Sequence, residues 1–400
     1  MKVAPKRIIT LLAIVSLIMP SFAQITTDQL SGKINTVTSS VPFLTIAPDS
    51  RSGGMGDVGV ALSPDANSMA WNPAKYAFAP NDMGFSMSYT PWLRRLIPDI
   101  NLAYLAGYKR LDKDQTIGFS LRYFSLGSIV FTDVVGNTMQ SFNPNEFSVD
   151  GAYARAFSDK FSGSLAFRFI YSNLTGGATV NGVESHPGIA YASDVSIYYR
   201  NNELRAGDYD ATFAFGANIS NIGSKISYSK DNEKDFIPIN LKIGAAYTVD
   251  FDDYNSLTAA IDINKMLVPT PPVYYTKEDS VDINGDPVIQ YGYDPNVSVA
   301  VGMFRSFYDA PGGFLEELHE ITYSFGLEYW YAKQFAIRGG YFMEHNTKGA
   351  RKYFTVGVGL RLNVFGLDFA YLVPIYQENP LANTLRFSLL FDIAGLKNNK

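Results

Sequence analysis

Short stretches in which every second residue is apolar or aromatic recur from Met83 to Phe391. In Thr116–Tyr123, Ile117, Phe119, Leu121 and Tyr123 share one face of an extended chain, and Gly118, Ser120 and Arg122 share the other. Alternation of period two marks a β-strand whose two faces meet different surroundings. No apolar run of about eighteen residues follows the N-terminal stretch, which excludes helical membrane spans. A transmembrane barrel would escape that test, because only alternate residues meet lipid.

The N-terminus has the pattern of an export signal. Lys2, Lys6 and Arg7 precede the apolar Ile8–Met19, and Ser21-Phe22-Ala23 offers a cleavage site before Gln24. Residues 1–23 are therefore expected to be a signal peptide. Losing its three cations takes the formal charge from −5 to −8, which gives no basic balance for nucleic acid. The chain has no cysteine, so disulfides, thiolate metal sites and cysteine nucleophiles are excluded.

Strands are expected near 82–90, 100–109, 115–125, 145–156, 161–173, 190–200, 209–221, 236–249, 254–264, 320–331, 334–344, 351–363, 364–373 and 384–391. Charge tests their faces. Arg122, Asp150, Arg168, Asp194, Lys242, Asp262, Glu328, Arg338, Arg361, Asp368 and Arg386 all fall opposite the apolar set. A cation on the lipid face at mid-membrane costs ~2–4 kcal/mol, and a slip of one residue would put the whole set there. Arg155 shares the apolar face but lies beside the Ser158–Lys160 turn, where it can snorkel to the interface. Val297–Phe304 also alternates weakly, and parity argues against it, since single-chain bacterial barrels have even strand numbers. Short inner turns are expected at Leu111–Asp114, Phe157–Lys160, Asn201–Asp208, Asp250–Asp253, Ala332–Lys333 and Val364–Phe365. They are consistent only if Lys265–His319 is one outer excursion, ending in a helical Phe314–Glu320. The expected fold is all-β, a 14-stranded antiparallel transmembrane barrel over 82–391, with the large outer loop at 265–319. Residues 24–81, rich in Gly, Pro and Ser, are expected to fold back as an N-terminal plug or hatch, and 392–400 to be a periplasmic tail.

Several blocks resemble a known family. Val41-Pro42-Phe43-Leu44-Thr45-Ile46-Ala47, Gly53-Gly54-Met55-Gly56-Asp57-Val58-Gly59-Val60-Ala61 and Trp71-Asn72-Pro73-Ala74-Lys75-Tyr76 resemble the N-terminal block of the PorV (LptO) family of the type IX secretion system. The resemblance continues through Met83–Ser86, Ser88–Arg95, Arg122–Ile129, Tyr308–Phe314 and Glu328–Tyr331. It implies a FadL-like barrel in the outer membrane with no catalytic role. Such a protein binds secreted cargo through the cargo's C-terminal domain at a giant translocon barrel and delivers it to a sortase attachment complex. The motif Trp71, Asn72, Pro73 and Ala74 belongs to the hatch, and Asn72-Pro73-Ala74 is shared more widely among FadL-like barrels.

The remaining motifs divide between chemistry and architecture. Gly54-x-Gly56-x-x-Gly59 matches a dinucleotide fingerprint literally, but no strand–turn–helix unit surrounds it. Glycine's access to positive φ in a tightly folded plug is the better account. Asp282, Asn284 and Asp286 alternate as calcium ligands do, but Gly285 is misplaced for such a loop, and turn chemistry explains Asn284-Gly285 equally well. His186, His319 and His345 fall in outer loops or their edges, with no G-x-S-x-G motif to support a hydrolase. No metal, cofactor or catalytic residue is expected. Trp92, Arg94 and Arg95 in the first outer loop suit either a protein partner or an interfacial belt facing lipopolysaccharide phosphates. Phe304, Phe307, Phe314 and Leu315 lie in a stretch that suits a partner-binding helix or a lid. A FadL-like channel for hydrophobic solutes is the competing function. The lumen-facing charges, six basic and five acidic by this register, count against a greasy conduit.

Overall fold

The computed structural model describes residues 34–93, 97, 99–132, 138–177, 179–180, 183–229, 234–275, 287–375, 381 and 384–393. The expected signal peptide, residues 24–33, Arg94, Arg95, Asp282, Asn284, Asp286 and 394–400 lie outside the described residues. The chain divides between Ile34 and Asn35, and the unit from Asn35 onward holds the barrel.

Fourteen antiparallel strands close into one ring. In chain order they are β1 (Met83–Pro91), β2 (Ile100–Arg110), β3 (Gln115–Leu126), β4 (Asn145–Ala156), β5 (Phe161–Asn173), β6 (Gly188–Ala206) and β7 (Tyr209–Gly223). The second half comprises β8 (Asn240–Asp250), β9 (Asn255–Met266), β10 (Thr322–Tyr331), β11 (Phe335–Met343), β12 (Lys352–Leu362), β13 (Phe365–Pro374) and β14 (Leu385–Asp392). Each pairs with the next. β14 returns to β1, with Gly84 opposite Asp392 and Tyr89 opposite Phe387. The alternation sets the faces: on β3, Ile117, Phe119, Leu121 and Tyr123 are exposed, while Thr116, Ser120 and Arg122 are buried. Arg155 is exposed, on the outward face.

Several boundaries differ from expectation. β6 runs on to Ala206, with Arg205 opposite Asp210, so the turn is Gly207–Asp208 and not the whole of Asn201–Asp208. Main-chain pairing carries this polar hairpin, which has no apolar alternation to announce it. β8 begins at Asn240, not 236. Phe236, Ile237 and Ile239 are buried in an apolar cluster instead, and Pro238 has no N–H to give a ladder. The β12–β13 turn falls at Asn363–Val364, with Asn363 at φ 50°, and Phe365 already belongs to the strand. Within 297–304, Val299–Arg305 is an α-helix, as parity requires of a non-strand. Short hairpins that the alternation does not announce pair Ile129–Thr132 with Thr138–Phe142, Thr179–Val180 with Val183–Glu184, and Val273–Tyr274 with Ile289–Tyr291.

Residues 35–80 sit among the inward-facing side chains of the ring. They form short helical turns at Pro42–Thr45, Ala66–Ala70 and Pro73–Phe78, and one turn of α-helix, α1, at Ser50–Gly53. Asp65 and Ser68 build a reciprocal capping box, and the Asn72 side chain caps a turn that Pro73 opens. Gly56 has φ 72°, and its N–H donates to Thr355 Oγ1 on β12 at 2.8 Å. On the facing wall, a Cβ at Gly340 would strike the backbone of Met55 and Gly56. Glycine at both positions lets one backbone lie directly on another.

Candidate functional site

Charge holds the interior together. Arg51 of α1 donates to Asp65 (2.9 Å) and to Glu328 on β10 (2.7 Å). Glu328 also accepts from Arg338 on β11 (2.7 Å), Arg338 donates to Asp368 on β13 (2.8 Å), and Asp368 accepts from Arg361 on β12 (2.7 Å). Across the lumen, Arg168 pairs with Asp150 and Asp194 and bonds Asn221. Asp262 accepts from the Gly59 and Val60 N–H groups, Arg386 pairs with Asp57, and Arg122 donates to the Phe43 and Leu44 carbonyls. Of the inward charges expected from sequence, Lys242 and Arg361 are half-buried and the rest buried. Buried ions persist only when their partners and hydrogen bonds are in place.

The Trp71–Ala74 motif joins the segment to both itself and the wall. Trp71 Nε1 donates to Asp49 (2.7 Å). Asn72 Nδ2 donates to the Val60 carbonyl and to Ile197 on β6 (2.9 Å), and the Ala74 carbonyl accepts from Ser162 on β5 (2.8 Å). Lys242 lies 4.9 Å over the Trp71 ring. The three glycines of the dinucleotide-like pattern serve close packing: Gly54 lies against Gly357, Gly56 takes positive φ, and Gly59 abuts the Trp71 indole.

The longest connection, between β9 and β10, carries α2 (Val299–Arg305) and α3 (Phe314–His319). α3 is tied to its surroundings by its acidic face. Lys265 on β9 donates to Glu317 (2.9 Å) and Glu320 (2.7 Å), and Lys348 donates to Glu316 (2.6 Å) and Glu320 (3.0 Å). Asn35 donates to Glu316 as well (3.0 Å). Burial tends to raise the Glu316 carboxyl, but the bonds from Lys348, the Gly312 N–H and Asn35, with the Lys348 charge, together outweigh it and hold the group below its ordinary value. Burial pushes Asp309 up to about 6, although it accepts from the Thr270 N–H. His319 and His345 stack with ring centroids 3.5 Å apart, and burial together with His319 holds the His345 imidazole down.

The opposite side of the two helices is apolar and open. Phe304 is 75%, Phe314 73% and Leu315 69% exposed, and Phe307, Tyr308 and Leu318 are also exposed. Trp92 differs from them. It packs half-buried against one apolar cluster that includes Phe124 and Leu267 and another that includes Phe342 and Leu372. His186, far along the chain, donates its backbone N–H to the Tyr228 carbonyl. Sequence reasoning missed Arg51, Lys265, Glu320 and Lys348, whose partners lie far away in the chain. It could have found the acidic face of α3, because Glu316, Glu317 and Glu320 recur at helical spacing beside Phe314, Leu315 and Leu318.

A closed ring with an apolar exterior and a charge-filled interior defines the class: a transmembrane β-barrel. The Ralstonia pickettii toluene transporter TbuX is similar in structure (TM-score 0.47, 12% identity, over 86% of this chain and 97% of that one). So are the Pseudomonas putida toluene transporter TodX (0.46, 11%, 85% and 95%) and a Pseudomonas aeruginosa FadL homologue (0.41, 11%, 90% and 99%). No curated protein matches. The family is given by sequence: residues 29–273 match the family described as "Type IX secretion system protein PorV", and the chain belongs to it.

Proposed function

We propose that this barrel is the outer-membrane component of type IX secretion that takes secreted cargo by its C-terminal domain at the translocon and passes it to the surface attachment (sortase) complex, without catalysis of its own. In this reading residues 24–81 are the hatch and 82–391 the barrel, with the long connections outside and both termini in the periplasm. The observation that carries it, beside the family, is the exposed apolar side of α2 and α3. Large solvent-facing aromatics, beside an α3 held in place by ion pairs, are what a protein-binding surface needs. Phe304, Phe307, Phe314 and Leu315 are assigned to cargo or translocon, and the Trp92, Arg94 and Arg95 loop to the same rim, where its arginines also suit lipopolysaccharide phosphates.

Deleting the gene should trap cargo in the periplasm with its C-terminal domain uncleaved; normal surface cargo would refute the reading. A Phe304→Ser/Phe314→Ser pair should abolish capture of cargo, translocon barrel and sortase on the tagged protein while leaving the barrel folded. The competing role, a channel for hydrophobic small molecules, requires saturable uptake of labelled alkane with secretion intact. The chain of paired ions from Asp65 to Arg361, buried at Arg51, Glu328, Arg338 and Asp368, counts against it.

A further inference from the structure

At the short-turn end of the barrel lies a cavity of about 470 Å³. It is bounded by Ala77–Pro80, where the internal segment leaves the lumen, by Arg110 and Arg200, and by Lys113, Asp114 and Asp159 at its rim. Two successive residues fix the two guanidinium groups. Arg200 lies 4.2 Å over the Phe78 ring, and Arg110 donates through Nη2 to the Ala79 carbonyl. The Nε of each is buried without a partner among the described residues.

Elsewhere in the interior, buried Arg122 is held by the Phe43 and Leu44 carbonyls, but the other arginines carry an anion. Arg51, Arg168, Arg338, Arg361 and Arg386 each hold a carboxylate. Among the described residues, Arg110 and Arg200 do not. The rim acids do not supply the missing charge: Asp114 faces the solvent-exposed Lys113 at 3.8 Å, and Asp159 is exposed. Two half-buried cations held near one another repel, and an anion bound between them would relieve that repulsion.

We propose that this cavity is an oxyanion site, taking a carboxylate or phosphate group between the Arg110 and Arg200 forks, with any attached apolar portion against Phe78, Ala79 and Pro80. Arginine forks match planar or tetrahedral oxyanions through paired N–H donors. The volume suits a small ligand or the end of a larger one. The site itself does not depend on the secretion role. Only its opening toward the periplasm rests on that reading, and binding to the purified protein is measured independently of it.

The test is calorimetry on the full chain in detergent with inorganic phosphate and with succinate, sodium chloride holding ionic strength constant. One saturable site for either probe is expected. Arg110→Gln and Arg200→Gln should each weaken it at least tenfold, and Lys113→Gln, at the rim, less than twofold. Preference for phosphate would assign a phosphoryl source, and preference for succinate a carboxylate source such as an acidic peptide. If a glutamine variant fails to fold, Arg200→Lys keeps the cation over Phe78 and removes the fork, and it should still weaken binding several-fold. No saturable binding of either probe, or binding unchanged in the arginine variants, overturns the proposal.

Discussion

Glu328 shows how a single side chain organises the interior. It is buried on β10 and receives Arg51, 277 residues away, and Arg338 from the neighbouring strand. Replacing it by Gln removes the anion that Arg51 and Arg338 share and leaves each with a single carboxylate, Asp65 for Arg51 and Asp368 for Arg338. Breaking a buried pair from one side costs about 3–5 kcal/mol. Denaturant unfolding of the E328Q protein in detergent should show a loss of that size, and a loss below ~1 kcal/mol would mean the network is solvated. Sequence placed Glu328 and Arg338 on the correct face because a charge opposite an apolar row has only one place to go. It did not reveal Arg51 as the second cation on Glu328, since a lone cation in a Gly- and Ser-rich stretch carries no periodicity. The exposed Phe314 and Leu315 were legible for the converse reason, as large apolar residues outside any strand pattern, and Phe304 once parity had removed the weak alternation of Val297–Phe304. Trp92 was not: nothing local tells a belt tryptophan from one packed under a loop.

Among elements, the strands were the most readable part, because the membrane imposes one chemistry on each face over the whole span. Readability failed where that constraint stops. The far end of β6 and the three loop hairpins pair without an apolar alternation, and Ile237 and Ile239 are apolar without being in the ladder. The connection bearing α2 and α3 has its own pH response. Asp309 is raised to about 6 by burial, so the folded loop binds its proton more tightly than an open loop does. Its contribution to loop stability is therefore full below the ordinary aspartate value of 3.8 and lost as pH rises through about 6. His345, held low, works in the opposite direction as pH falls below 6.5, so the comparison must be made against Asp309→Asn. The variant loop should resist protease better than the wild type at pH 7. The gap should narrow by at most ~tenfold in cleavage rate by pH 5. An unchanged gap would show that Asp309 is already solvated.

At the scale of the molecule, the barrel is a wall around a folded segment. Removing residues 35–80 would leave Glu328, Asp262, Arg386 and Arg122 facing water in an open lumen. In planar bilayers the intact protein should stay near baseline, and the shortened one, checked for folding by its heat-modifiable mobility on gels, should conduct ions. Equal conductance in both would show that the segment does not seal the pore. Loss of cargo capture in the shortened barrel would in turn show that the internal segment supports the loops from below.

The seam between the last strand and the first gives the segment a part in assembly. Asp57 receives Arg386 on β14 at 2.8 Å and the Tyr353 hydroxyl on β12, and Ser50 donates its N–H to Ser388 on β14 at 2.9 Å. The portion synthesised early thus stays incomplete until the final strand arrives, and that strand finds buried partners only if the early portion is already seated. Ring closure and seating become a single cooperative event. Contacts this distant along the chain make it a slow one. A chain cut short before β14 would leave the Ser50 N–H without its acceptor and Asp57 without its cation, with only the Tyr353 hydroxyl in place, which distinguishes an unfinished barrel from a finished one.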